Sequence, residues 1–97
     1  MSGSGPADAD GVRRRRLVFR AWHRGTREMD LIMGRFADQH AATLSTEEMD
    51  AFEALMDAPD GDIFRWITGS LATPANHDTA LLRRIRAFHT FTGPIHG

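Results

Sequence analysis

The chain has no cysteine, no lysine and no tyrosine, and none of its apolar runs approaches the roughly 20 residues that cross a bilayer. Without cysteine it cannot form disulfides, thiolate zinc sites or a cysteine nucleophile, so a reducing compartment is permitted. Its charged beginning also lacks the apolar stretch of a secretory signal. These absences predict a cytoplasmic protein that does not insert into a membrane.

The chain length limits the size of the core. With 97 residues, 41% of them hydrophobic, one domain is expected, and about 60 to 65% of the unfolded chain's surface can become buried. We predict a single domain over residues 12–92, with a flexible N-terminal lead over 1–11 and a frayed tail over 93–97. A deep catalytic cavity is not expected in such a thin core.

The charges are unevenly distributed although the net charge is only -1. All twelve cationic residues are arginines, and eight of them lie between Arg13 and Arg35. The stretch from Asp38 to Asp62 contains eight acidic residues and no cation. This pattern predicts a basic side and an acidic side of the folded molecule.

Apolar residues recur with helical spacing through most of the chain, and no alternating strand pattern is present. The first predicted helix spans 13–24 and the second spans about 26–42, with Gly25 between them in the left-handed conformation. The residues expected to face inward share the spacing of one helix face. They are Leu17, Val18, Ala21, Trp22, Met29, Ile32, Met33 and Phe36.

The third helix has the clearest start signal in the chain. Ser45 is followed three residues later by Glu48, which predicts a capping box. The helix should continue until Pro59 interrupts it. Its expected inward residues are Met49, Phe52, Leu55 and Met56.

Two further helices are predicted in the C-terminal part. Asp60 or Asp62 can cap the fourth, and Gly69 is placed to end it. Pro74 at a first helical position should open the fifth. The expected inward residues are Ile63, Phe64, Trp66, Ile67, Leu81, Leu82, Ile85 and Phe88. Five helices with short connections predict an all-α fold, a compact five-helix bundle in which consecutive helices are neighbours.

Residues that could perform catalysis have simpler structural explanations. Ser45 caps a helix, and no Ser-His-Asp arrangement or Gly-rich phosphate loop is visible. Glu47 and Glu48 are adjacent and therefore point to different sides of a helix. Trp22 and Trp66 could stack on a flat cofactor, but both lie on apolar helix faces. We predict that the chain is not an enzyme and holds no tightly bound cofactor.

Metal and nucleic-acid binding are also poorly supported by the sequence. The five histidines show no zinc-ligand spacing with one another or with a carboxylate. The run Arg13–Arg16 suggests phosphate contacts. However, the net charge is balanced and no recognition helix is evident. We expect neither a metal site nor a nucleic-acid partner.

The junction of the first two helices has the sequence Arg24-Gly25-Thr26-Arg27-Glu28. Local structure explains most of it, because Arg24 suits a helix C-terminus, Thr26 can cap the next helix, and Glu28 lies near its positive end. Arg27 lies in the first turn against the helix dipole and is left without a local role. An exposed and rigid corner with both signs of charge is a plausible recognition surface.

The stretch RAWHRGTREMDLIMGRFADQH, the capped acidic helix and the stretch DAPDGDIFRWITG resemble the succinate dehydrogenase assembly factor family. The similarity extends over about 13–91. Its marker is the RGxxE string at the first helical junction, supported by Asp57, Asp60 and Trp66. The resemblance implies a five-helix bundle that binds the flavoprotein subunit of succinate dehydrogenase, and that of fumarate reductase as a second candidate.

The resemblance also implies a mode of action. Such a factor promotes the covalent attachment of FAD to the flavoprotein subunit, and the partner supplies both the flavin site and the histidine that becomes linked. Carried over to this sequence, the functional string is Arg24, Gly25 and Glu28, with Thr26 and Arg27 at variable positions. We expect Arg24, Gly25, Arg27 and Glu28 to contact the partner, and FAD to be handled on the partner protein.

Two other functions remain open at this point. The chain could act as an antitoxin-like protein with a different partner. It could also be a nucleic-acid-binding accessory protein that uses the basic face from Arg13 to Arg27, in which case binding should depend steeply on salt.

Overall fold

The computed structural model describes the backbone of residues 6–92 and the side chains of residues 9–89. Within this part of the chain it contains five α-helices and no strand, which confirms the predicted all-α five-helix fold. The helices are α1 (Pro6–Trp22), α2 (Arg27–His40), α3 (Thr46–Met56), α4 (Asp60–Thr68) and α5 (Ala80–Thr92). Short 3₁₀ turns follow α2 at Ala41–Thr43 and precede α5 at Ala75–His77.

Helix α1 begins earlier than predicted. Residues 6–11, expected to belong to a flexible lead, are helical, so the helix starts at Pro6 rather than near Arg13. Proline suits a first helical position because its fixed φ is already helical and its missing N–H would have no partner there. The predicted tail over 93–97 lies outside the described residues.

The predicted caps of α2 and α3 are both confirmed. Thr26 precedes α2 with an extended backbone, and its hydroxyl accepts a hydrogen bond from the Met29 amide at 3.3 Å. The Ser45 hydroxyl accepts from the Glu48 amide at 3.1 Å, and the Glu48 carboxylate accepts from the Ser45 amide at 2.9 Å. These bonds satisfy backbone donors that have no partner inside a helix.

The predicted cap of α4 is wrong. Neither Asp60 nor Asp62 precedes the helix, because Pro59 occupies the cap position and both aspartates lie in the first turn. Their negative charge still favours this position near the positive end of the helix dipole. The predicted end is confirmed, since Gly69 has a left-handed backbone and its amide donates to the Arg65 carbonyl at 2.9 Å.

The predicted start of α5 is also wrong. Pro74 precedes the 3₁₀ turn at Ala75–His77, and α5 begins only at Ala80. The Thr79 hydroxyl accepts a hydrogen bond from the Leu82 amide at 3.1 Å. This threonine therefore caps the start of α5.

One apolar core joins all five helices. Within it the ring of Phe36 meets those of Phe52 and Phe88 edge to face, with centroids 5.8 and 5.7 Å apart. Most residues expected to face inward are buried, whereas Val18, Phe64 and Phe88 pack at its margin. The core therefore follows the helical spacing of the sequence.

The oppositely charged stretches meet at the contact between α1 and α3, so they do not form two separate sides. Arg13 Nε donates to Glu53 at 2.8 Å, and Arg20 bonds to Asp57 at 2.9 Å. The paired charges raise the pKa of Arg13 and lower the pKa of Glu53, through their shared hydrogen bonds above all. Two of the five arginines of α1 are thereby paired with carboxylates of the acidic stretch.

Candidate functional site

The corner between α1 and α2 turns at Gly25, whose φ of 110° confirms the predicted left-handed region. A Cβ atom added there would meet no atom within 4 Å. Glycine is therefore required by the backbone conformation, while the space next to it is open. The backbone of the corner is therefore exposed to solvent at Gly25.

Arg24 lies inward, unlike the exposed charge expected from the sequence. Its side chain is 11% exposed, and its Nε and Nη2 atoms lie 2.9 and 2.7 Å from Asp60 Oδ1. Nη2 also lies 3.4 Å from the carbonyl oxygen of Ala58. The guanidinium thus ties the end of α1 to the start of α4.

The backbone of the corner has its own anchor. The Arg24 amide donates to the carboxylate of Asp30 at 2.6 Å, and Asp30 lies in the first turn of α2. A charged acceptor makes this bond stronger than one between neutral groups. Sequence reasoning missed the role of Asp30, although an acidic residue in the first turn of a predicted helix is a usable signal.

Arg27 and Glu28 point away from the protein. Both are exposed, and neither has a hydrogen bond or an ion pair with any other described residue. They belong to the first turn of α2, where the cap at Thr26 fixes the backbone. The corner therefore offers one cation and one anion on a rigid support, together with the open backbone of Gly25.

An open depression of about 530 Å³ lies beside these charges. Its walls come from the end of α1, the corner and the first turns of α2. The lining residues are Trp22, His23, Gly25, Thr26, Arg27, Asp30 and Leu31. Its width and openness suit a protruding loop or side chain of another protein better than an enclosed small molecule.

Helices α1 and α2 are in close contact next to the corner. A Cβ atom added to Gly34 would lie 2.2 Å from Cδ2 of Trp22, so only glycine lets the indole ring cross α2 at this point. The indole Nε1 donates to Asp38 at 3.1 Å. Sequence reasoning assigned Trp22 to the core and did not single out Gly34, whose position inside a predicted helix was the available signal.

The sequence is similar to known proteins over most of its length. Residues 15–89 match the family described as "Flavinator of succinate dehydrogenase". The chain belongs to this family. A bacterial relative, "FAD assembly factor SdhE" of Acetobacter pasteurianus, is 41% identical over 85 residues, which cover 87% of this chain and 78% of the relative. Membership in the flavinator family confirms the resemblance read from the RGxxE string.

Mitochondrial relatives from fungi are similar over a shorter stretch. "Succinate dehydrogenase assembly factor 2, mitochondrial" of Debaryomyces hansenii is 44% identical over 57 residues, 59% of this chain and 40% of the relative. The protein of the same name from Cryptococcus neoformans is 39% identical over 74 residues, 75% of this chain and 42% of the relative. The matched stretch thus spans less than half the length of these two relatives.

The other candidate residues take structural roles in this chain. Trp66 is buried and stacks on His77 with ring centroids 5.1 Å apart. Arg14, from the basic run, donates to the Ala41 carbonyl. Among the described residues no cluster of histidine, aspartate and glutamate could hold a metal ion, and no helix is long and apolar enough to cross a membrane.

Proposed function

We propose that this chain binds the flavoprotein subunit of succinate dehydrogenase and promotes the covalent attachment of FAD to it. The flavinator family description and the name of the bacterial relative support this role. The chain acts as a cytoplasmic assembly factor and not as an enzyme. The flavoprotein subunit of fumarate reductase is the second candidate partner.

The observation behind this proposal is the pair of exposed charges at a rigid corner, which have no partner among the described residues. Arg27 and Glu28 contact polar groups of the flavoprotein, and the backbone at Gly25 approaches it closely. Binding costs these side chains little entropy because the helix start already holds their backbone. Arg24 supports the same surface indirectly, because its ion pair with Asp60 holds the corner in place.

The chain can accelerate flavin attachment without supplying a reactive group. A protein that binds one conformation of its partner better than another shifts the partner's equilibrium toward that conformation. A preference of about a hundredfold corresponds to roughly 2.7 kcal/mol, which raises a minor competent state of the flavoprotein from about 1% to about half of the population. FAD and the linked histidine stay on the partner throughout.

The test uses cells that lack the gene for this chain and are complemented with variants. The covalent flavin on the succinate dehydrogenase flavoprotein is measured by its fluorescence in a denaturing gel. We expect Glu28→Ala to lower the initial rate of flavinylation at least about tenfold, because a central charged contact is lost. Glu47→Ala is the matched control, since Glu47 is an exposed glutamate in the first turn of α3.

Two results would contradict the proposal. Full flavinylation in cells without the gene would show that the flavoprotein does not need this factor. Equal flavinylation by Glu28→Ala and the Glu47→Ala control would remove the corner from the contact surface. Thermal unfolding of both purified variants establishes that any difference does not come from folding.

A further inference from the structure

The face of α1 opposite the core displays apolar and cationic side chains. Phe19 is 62% exposed and Val12 is 44% exposed, whereas Leu17 and Ala21 on the other side of the helix are buried. Four residues at i, i+4, i+7 and i+11 spacing define this face, which we call the outer face of α1. They are Val12, Arg16, Phe19 and His23.

The aromatic part of the outer face is held in place before any partner arrives. The rings of Phe19 and His23 stack with centroids 4.0 Å apart and planes 18° from parallel. His23 Nδ1 lies 2.6 Å from the Phe19 carbonyl oxygen, which orients the imidazole. A large exposed ring with restricted freedom is the kind of residue that dominates binding at protein interfaces.

The cations beside these rings are available to a partner. Arg15 and Arg16 are exposed and have no hydrogen bond or ion pair with the described residues. Their neighbours Arg13 and Arg20 are already occupied by Glu53 and by Asp57. The outer face is therefore a small apolar patch edged by positive charge.

This face continues into the RGxxE corner. His23, which stacks on Phe19, also lines the depression beside Gly25 and Arg27. No described element separates the two areas, because His23 follows the last residue of α1 directly. A partner seated at the corner would meet the end of the outer face as well.

We propose that the outer face of α1 is a second contact area for the same flavoprotein, which receives Phe19 in an apolar pocket edged by carboxylates. This inference rests on the proposed function and adds the chemistry of the partner surface. The carboxylates pair with Arg15 and Arg16, while the corner binds through Arg27 and Glu28. The two areas together define the orientation of the partner.

Other occupants of the outer face are less consistent with its charges. Two available arginines neutralise too few phosphates for tight nucleic-acid binding at physiological salt. One exposed phenylalanine and one valine give little insertion into an anionic membrane surface. Both alternatives nevertheless predict measurable binding, so they serve as outcomes of the test.

The experiment measures the dissociation constant of the full chain for the purified, flavin-free succinate dehydrogenase flavoprotein. The method is surface plasmon resonance with the flavoprotein immobilised. We expect Phe19→Ala to weaken binding roughly tenfold to a hundredfold. The double variant Arg15→Ala/Arg16→Ala should slow association and reduce its dependence on salt. Matched controls are Leu71→Ala and Arg65→Ala, because Leu71 is exposed and apolar and Arg65 is an exposed cation on α4.

The outcomes distinguish this inference from the proposed function. Loss of binding by Glu28→Ala with no effect of Phe19→Ala would overturn the second contact area and keep the role of the corner. Absence of binding by the unmodified chain would overturn both. Binding to phosphatidylglycerol vesicles or to duplex DNA that requires Phe19, with unchanged flavoprotein binding, would assign the outer face to that other ligand.

Discussion

Two arginines of the RGxxE string, Arg24 and Arg27, have opposite environments although they are three positions apart. The side chain of Arg24 is largely buried against Asp60, whereas Arg27 is exposed and unpartnered among the described residues. Removing the first therefore leaves a shielded carboxylate without its counterion. Removing the second leaves the folded protein almost unchanged, because its side chain has no hydrogen bond or ion pair with another described residue.

We expect Arg24→Ala to lower the free energy of unfolding by roughly 1.5 to 3 kcal/mol, because a partly buried, charge-assisted hydrogen bond is lost. Arg27→Ala should stay within about 0.5 kcal/mol of the original chain. Urea denaturation measures both values. A double-mutant cycle with Asp60→Asn isolates the coupling, and a coupling energy near zero would contradict the contact.

At the scale of the helices, the crossing of α1 and α2 depends on a glycine and an indole. The ring of Trp22 lies where a side chain of any larger residue at position 34 would have to be. Because Trp22 is the last residue of α1 and lines the depression, the contact also sets the position of the corner. Helix packing and the proposed contact surface at the corner are thus linked through one pair of residues, Trp22 and Gly34.

Gly34→Ala tests this link through two opposing effects. Helix propensity alone would make alanine more stable by about 1 kcal/mol. We expect the free energy of unfolding to fall by about 1 to 2 kcal/mol instead, because the added methyl group overlaps three atoms of the rigid Trp22 ring and forces the helices apart. Thermal or urea unfolding shows whether Gly34→Ala raises or lowers the stability.

A second variant separates the two effects in Gly34→Ala. In a Trp22→Ala background the overlap is absent, so the same substitution at position 34 should become neutral or stabilising. If Gly34→Ala stabilises the unmodified chain, then the contact does not exist as described.

At the scale of the whole molecule, a partly exposed polar cluster joins three helices at the edge of the core. Arg84 of α5 pairs with Glu48 of α3, donates to His40 of α2 at 3.3 Å and lies over the ring of Phe36. Burial, and then the positive charge of Arg84, lower the pKa of His40. The cluster therefore favours a neutral imidazole that accepts a hydrogen bond.

This cluster predicts a loss of stability in mild acid. Since the pKa of His40 is lower in the folded state than its ordinary value of 6.5, the unfolded chain binds more protons between these two values. The stabilisation that comes from neutral His40 is complete above about pH 6.5. It decreases as the pH falls toward the pKa of His40 in the folded state. Urea unfolding between pH 7.5 and pH 5 should show this decrease.

His40→Gln removes the titrating group and should flatten the dependence of stability on pH in that window. A further decrease is expected below about pH 4.5, where the lowered pKa values of Glu48 and Glu53 act in the same direction. An unchanged slope in His40→Gln between pH 6.5 and pH 5 would assign the effect to other groups.

Much of the fold is predictable from the sequence because its determinants are local. The caps at Thr26 and Ser45 and the left-handed turns at Gly25 and Gly69 each involve residues within four positions of one another. The wrong start of α5 has a local reason as well. Proline is compatible with several turn conformations, and only the chain beyond Pro74 decides that a 3₁₀ turn comes first.

The sequence by itself determined the helices, most of their ends and the apolar face of each, because these depend on spacing and on neighbouring backbone groups. Only the tertiary structure decided which charges of the corner remain available. Arg24 is neutralised by a residue 36 positions away, and the Trp22 ring is accommodated by a glycine on another helix. Such pairs form through packing, and no local pattern distinguishes an arginine that will find a buried partner from one that will face solvent.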